Sequence, residues 1–144
     1  MARYPQILSV HLLTIRGNEI LLQLRKNTSY RDGCWSVIAG HVEAKESATN
    51  AMIREAKEEA GILLNTEDLV LVHVMHRFEN QERVDFFFKT NRWKGEPKVM
   101  EPEKAGEIRW VNLSELPSNI VPYVRQAIEL GLKKGQIYSE YGWY

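Results

Sequence analysis

The sequence predicts an α/β domain in which two helices flank a mixed β-sheet, an α/β/α sandwich. Three observations predict it. Short runs rich in leucine and β-branched residues, separated by polar turns, fill most of the chain. The segment Ser47 to Ala60 is rich in Ala, Glu, Lys and Met and ends on Gly61, as helices commonly do. A second segment, Pro122 to Leu132, places Val124, Ala127, Ile128 and Leu132 on one side at helical spacing. Two helices packed against one sheet make a layered α/β domain.

The elements follow in order. Ile7 to Ile15 reads as a strand, Gly17-Asn18 as a turn, and Glu19 to Arg25 as the returning strand of a hairpin. Lys26 to Gly33 is polar and reads as a loop, followed by a short apolar strand from Trp35 to Ile38. After the first helix, Leu69 to Arg77 and Val84 to Lys89 read as two strands joined through Glu79-Asn80-Gln81-Glu82. Arg92 to Ala105 is rich in Pro, Gly and charge and reads as a loop. Glu107 to Val111 is a last short strand before the second helix. The aromatic tail, Tyr138 to Tyr144, is expected to dock, because such a surface is unfavourable in water.

The 144 residues suit a single domain, 1–144, with its own core. Nineteen basic residues balance nineteen acidic ones, so the basic surplus of a general nucleic-acid binder is missing. One cysteine, Cys34, permits no internal disulfide and suits a reducing compartment. The opening residues lack the apolar stretch of a secretory leader, and no apolar run is long enough to span a membrane. A soluble, cytoplasmic protein is expected, as a monomer or homodimer.

The most informative segment runs from Gly40 to Ile62. Glu55, Glu58 and Glu59 stand at i, i+3 and i+4, so all three carboxylates share one helix face. Their repulsion destabilises a bare helix, and a divalent cation would relieve it. Carboxylate oxygens are hard ligands suited to Mg²⁺ or Mn²⁺. The opposite face carries Ala48, Met52 and Ala56 for packing. The bland alternative is a solvated charged helix whose glutamates pair with Arg54 and Lys57. Spacing decides between them. Gly40, Glu46, Arg54, Glu55, Glu58, Glu59 and Gly61 all fit Gly-x5-Glu-x7-Arg-Glu-U-x-Glu-Glu-x-Gly-U, where U is apolar. Chance agreement at a given start is on the order of 10⁻⁸.

This segment resembles the Nudix box. Ala56 is smaller than the usual apolar residue at its position, and Ile38-Ala39-Gly40 stands where Pro-Gly-Gly is common. The resemblance implies a Nudix-type α/β/α sandwich and metal-dependent cleavage of a nucleoside diphosphate linked to another group X. It implies Glu55, Glu58 and Glu59 as metal ligands, joined by the carbonyl of Ala39. Glu46 and Arg54 would form a charge pair that holds the loop on the helix. Glu58 is one option for the general base. A glutamate of the Glu101-Pro102-Glu103-Lys104 loop is another, since MutT-like members place an acidic metal contact there. Likeness to MutT-like nucleotide pyrophosphohydrolases extends to Arg25, which would contact phosphate, and to Asn119, which would read a nucleobase. The alternatives are a surface arginine at a strand end and an N-cap for the last helix.

The leading expectation is therefore a small-molecule nucleotide substrate, a (d)NTP cut to monophosphate and pyrophosphate. Other diphosphates are the second: a nucleotide sugar, a dinucleotide or capped RNA. The Ser-Gln-Pro-Trp-Pro-Phe-Pro signature of NADH-type members is absent, and His76 stands where ADP-ribose-type members carry proline. The third is a non-catalytic nucleotide sensor, disfavoured because every box carboxylate is present. His73 and His76 are three apart on a strand and point to opposite faces, so they do not form a ligand pair. His11, in an apolar strand, faces either the core or a pocket. Phe86, Phe87 and Phe88 read as core and sheet surface.

Overall fold

A computed structural model describes residues 2–144. Its strands are β1 (Ile7–Arg16), β2 (Glu19–Arg25), β3 (Trp35–Ser36), β4 (Ile38–His41), β5 (Val70–Glu79), β6 (Gln81–Thr90), β7 (Ala105–Asn112) and β8 (Tyr138–Tyr141). The helices are α1 (Ala48–Ala60) and α2 (Pro122–Ala127), the latter continued by a π-helical turn over Ile128–Lys133. Among the described residues the eight strands form one mixed sheet, in the order β3-β2-β1-β6-β5-β8, with β4 on β1 and β7 on β2.

The sheet splits along β1. β4 runs antiparallel to its first half, from Ser9 to Leu12, whereas β2 meets it only at Ile15 and Arg16. On its other edge β1 runs parallel to β6 from Ile7 to Thr14. β2 leaves β1 to pair with β3 and β7. The backbone therefore opens between β4 and β2, and the site lies there.

Each face of the sheet buries its own apolar set. Val10, Leu12, Ile38 and Phe88 pack on Ala51, Met52, Ala56 and Ala60 of α1. Leu13, Ile20, Leu22 and Phe87 pack on Val124, Ala127 and Ile128 of the second helix. This is the expected sandwich. α1 begins where Ser47 Oγ accepts from the Asn50 amide, and it ends on Gly61 at φ 69°. The left-handed cap lets the Gly61 amide reach back to the α1 carbonyls.

Some boundaries differ from expectation. The strand expected over Trp35–Ile38 is two strands, because Val37 interrupts the pairing as the chain passes from β2 to β1. The second helix is α-helical only to Ala127, and Gly131 in its π-turn packs against His73 so closely that an added Cβ would lie 2.7 Å from the His73 Cβ. The tail docks as expected, but as a strand: Tyr138–Tyr141 pairs in parallel with Val74–Arg77. His73 is fully buried and bonded to the Gln136 carbonyl and Ser139 Oγ, which ties that tail down. Trp143 donates to the His76 carbonyl (2.9 Å), while Tyr144 remains exposed. No helix among the described residues is long and apolar enough to cross a membrane.

Replacing Gly61 with alanine places a side chain in left-handed backbone, which costs about 1–2 kcal/mol. Urea unfolding is expected to show a lowered midpoint with an unchanged slope; an unchanged midpoint would refute this account of the α1 terminus.

Candidate active site

The Nudix-like segment folds as a strand, a turn and a helix whose acidic face lies against the backbone of β4. Gly40 makes that approach possible. A Cβ at Gly40 would sit 2.1 Å from the Glu55 Cδ, so the glutamate occupies the space any other residue would fill. The requirement is close approach rather than an unusual turn. One turn further on, Glu59 Oε1 accepts from the Ala39 amide (3.2 Å) and from Gln23 Nε2 of β2 (2.9 Å). Glu59 thus bridges the two halves of the split sheet.

Arg54 organises the loop. Its Nε and Nη2 donate to the two oxygens of Glu46, at 2.7 and 2.9 Å, and its Nη2 also donates to the His41 carbonyl. Its Nη1 donates to Glu55 (2.8 Å) and Glu58 (3.2 Å). The Arg54 hydrogen bonds hold the Glu46 carboxyl down at about 2. The expected Glu46–Arg54 pair is therefore present, and it reaches two of the box carboxylates as well.

The carboxylates differ sharply. Burial, assisted by the charges of Glu55 and Glu101, pushes Glu59 up to about 8, against the pull of its two hydrogen bonds. Burial also raises Glu55, although Arg54 pulls the other way. Glu58 is half exposed at 52%, with Arg54 as its partner. Among the described residues no three His, Cys, Asp or Glu side chains are gathered as a ready ion cage. The donor set nevertheless fits Mg²⁺ or Mn²⁺, because it offers hard oxygens only.

Two hollows meet at this point. An open depression of about 330 Å³ is lined by Glu55, Glu58, Glu59 and Arg54. A deeper cavity of about 410 Å³ runs from there between β2, β5 and the loop after β2. Ala39, Gly40, Glu59 and Glu101 line both. The cavity floor carries a charged network absent from the sequence-based expectations. Arg77 donates to Asp85 through Nε (2.7 Å) and Nη2 (3.1 Å), and through Nη1 to Glu79 (2.7 Å). His11 Nε2 stands 3.0 Å from Asp85 Oδ1. Burial pushes the Asp85 carboxyl up, but the His11 and Arg77 contacts outweigh it and hold it at about 2. His11 is thus both things the sequence left open, 98% buried (2% exposed) and a lining residue of the cavity.

Other expected residues fall in and out of the site. Arg25 lines the cavity, but its Nε and Nη2 donate to the Tyr30 carbonyl and Thr28 Oγ1, which shapes the loop. Tyr30 from that loop donates to Glu79 (2.6 Å) across the cavity, and burial followed by Glu79 raises its hydroxyl to about 12. Glu101 lies at the box, whereas Glu103 does not line either hollow. The Glu101 carbonyl accepts from the Lys104 and Ala105 amides, and that turn points Glu103 outward. Asn119 is also outside the cavity; its side chain donates to the Gly33 carbonyl (2.9 Å). Nor does it cap α2, whose N-cap is Val121. Gln23, Arg77, Asp85, Tyr30, Glu79 and Tyr123 were missed. A lone aspartate between apolar residues of β6 was the available signal, because a charge there needs a partner.

Residues 5–130 match the family model of the NUDIX domain. The chain belongs to the Nudix hydrolase family. Its Nudix domain is similar to NAD-capped RNA hydrolase NudC of Pseudomonas putida, with 30% identity over 115 residues, 79% of this chain and 40% of that protein. NudC of Escherichia coli is 30% identical over 114 residues, 79% of this chain and 42% of that protein. The chain thus spans about two fifths of the length of these curated relatives. A MutT NUDIX hydrolase from Burkholderia pseudomallei superposes with TM-score 0.81 and 28% identity, covering 87% of this chain and 97% of that one. A MutT protein from Methanosarcina mazei, at TM-score 0.78 and 22% identity over 93% and 98% of the two chains, shares the Nudix fold.

Two outcomes follow from this site. Gly40→Ala displaces the Glu55 carboxylate and is expected to weaken Mn²⁺ binding at least about tenfold by calorimetry while leaving the circular dichroism spectrum unchanged; equal affinity would contradict the assigned role of Gly40. Asp85 titrates at about 2 when folded against an ordinary value of 3.8. Its contribution is therefore present above pH 4 and lost as pH falls toward 2, about 2 kcal/mol in all. Wild type is expected to show that acid limb in pH-dependent unfolding and Asp85→Asn to lack it; parallel curves would contradict the pairing.

Proposed function

We propose that the chain is a metal-dependent pyrophosphohydrolase acting on a nucleoside diphosphate linked to X, with a (d)NTP, cut to monophosphate and pyrophosphate, as the leading substrate. The observation that carries this reading is the junction of the two hollows. A cavity of about 410 Å³ opens directly onto the carboxylate depression, and Ala39, Gly40, Glu59 and Glu101 belong to both. A bound nucleoside would thus place its phosphates beside the box. The zero net charge also favours a small nucleotide over a long polyanion.

In this reading Glu55, Glu58, Glu59 and the Ala39 carbonyl hold Mg²⁺ or Mn²⁺, with Glu101 as a further acidic contact. When bound, the ion would supply charge neutralisation on the diphosphate and a lowered pKa for a water. Arg54 and Glu46 hold the helix face in register with β4. Glu58, the most exposed of the three carboxylates, takes the proton from the water that attacks phosphorus. Arg25 keeps the cavity wall in place and offers its remaining N–H groups to phosphate oxygens. Glu103 and Asn119 have no part in this reading.

A second reading is hydrolysis of NAD-capped RNA. It is favoured by the names of the curated relatives at about 30% identity. The missing Ser-Gln-Pro-Trp-Pro-Phe-Pro sequence weighs against it.

A panel of ordinary and oxidised (d)NTPs, ADP-ribose, NADH and NAD-capped RNA, assayed with Mg²⁺, separates the readings. The (d)NTP reading predicts turnover of a triphosphate with release of pyrophosphate. Turnover of capped RNA alone would move the chain to the second reading, and nucleotide binding without turnover would make it a sensor. Glu58→Gln is expected to lose activity at least about 100-fold with its fold intact; full activity would remove Glu58 from the mechanism.

A further inference from the structure

The floor of the deep cavity contains hydrogen-bonding capacity that the protein leaves unused. His11 is 2% exposed, and its Nδ1 has no partner among the described residues. Buried polar atoms are almost always satisfied, and an orphan costs about 1–3 kcal/mol. The other ring nitrogen explains which kind of partner is missing. Asp85 Oδ2 takes Arg77 Nε and Oδ1 takes Arg77 Nη2, so the carboxylate is held charged and accepts the His11 Nε2 proton. In the neutral imidazole, Nδ1 is then a bare acceptor. Phe87 stacks on the ring at 4.5 Å and prevents it from turning away.

Tyr123 completes the floor. It is 6% exposed, presents its ring edge-on to His11 at 5.5 Å, and lies 3.7 Å beneath the Arg77 guanidinium. Burial raises its hydroxyl, so it stays protonated at neutral pH and able to donate. His11 and Tyr123 both line the cavity. His11 pairs in register with Ala39, the residue before the box glycine, across neighbouring strands roughly 5 Å apart.

We propose that His11 Nδ1 and the Tyr123 hydroxyl form a specificity subsite that selects a ring bearing an N–H donor beside a hydrogen-bond acceptor. This inference rests on the proposed function, with the ring belonging to the nucleotide whose phosphates meet the box. The N–H donates to His11 Nδ1, and Tyr123 donates to the neighbouring acceptor. Nδ1 is buried without a partner in a residue that lines the cavity, so a ligand seated there can bring the missing donor. An amino- or amide-bearing nucleobase has this edge, and so does the carboxamide of nicotinamide. A site with a buried acceptor discriminates strongly against ligands that lack the donor.

The test compares matched 5′-nucleotides by calorimetry, independent of turnover. The monophosphates of adenosine, guanosine and cytidine are set against purine riboside and 2-pyrimidinone riboside monophosphates, which lack the donor. Nicotinamide mononucleotide is set against nicotinic acid mononucleotide, which distinguishes a nicotinamide ligand from a nucleobase. Wild type is expected to favour the donor-bearing member of one pair at least tenfold. In His11→Phe the preference falls to within about twofold, and Tyr123→Phe, which keeps the ring, loses about fivefold in affinity for that member alone. No preference in wild type, or a preference unchanged in both variants, would overturn the proposal. If the binding preference appears while no diphosphate is hydrolysed with Mg²⁺, the subsite stands and the hydrolase reading fails.

Discussion

Glu59 accepts from the Ala39 amide on one side and the Gln23 amide on the other, in the gap where β2 leaves β1. The rest of the site depends on that seating. It brings the acidic face of α1 against the backbone of β4, and Gly40 provides the room for Glu55 to follow. It also has a cost, since a carboxyl enclosed beside two other acids resists ionisation. Arg54 relieves part of the crowding by reaching Glu46, Glu55 and Glu58 together. The hard oxygens left on this face suit the divalent cation of the proposed function.

The same split in the sheet creates the cavity. Because β1 carries β4 along its first half and β2 only at its end, the floor between them is made by side chains of β1, β5 and β6. Those side chains are polar, and their burial depends on the contacts they make with one another. Asp85 collects His11 and Arg77, Arg77 reaches Glu79, and Glu79 receives Tyr30 from the loop opposite. A change anywhere in this chain leaves a buried charge unpaired, which is why wall and floor behave as one unit.

Much of this was legible in the sequence, for identifiable reasons. The box was readable because its residues are local: helix spacing alone places Glu55, Glu58 and Glu59 on one face, and the Glu46–Arg54 pair spans a single loop. Strand β2 was readable to the residue because Gly17 and the polar Lys26–Gly33 segment bound it. The floor was not readable, because His11 and Asp85 lie 74 positions apart and meet only through the parallel pairing of β1 with β6. Glu101 and Glu103 could not be told apart from spacing, since one turn in the loop decides which faces the box. Asn119 is a similar case: a contact with the Gly33 carbonyl, invisible to spacing, sets its side chain outside the cavity. The tail was expected to dock, but its pairing with β5 depends on His73, a long-range partner.

The proposed function requires the carboxylate face of α1, seated on β4, to hold a divalent cation. Titration of Mn²⁺ into the chain, with free ion followed by electron paramagnetic resonance, tests it most directly. Wild type is expected to bind Mn²⁺ saturably, and Glu59→Gln, with its fold unchanged, to bind at least about tenfold more weakly. Equal binding by the two proteins would contradict the account.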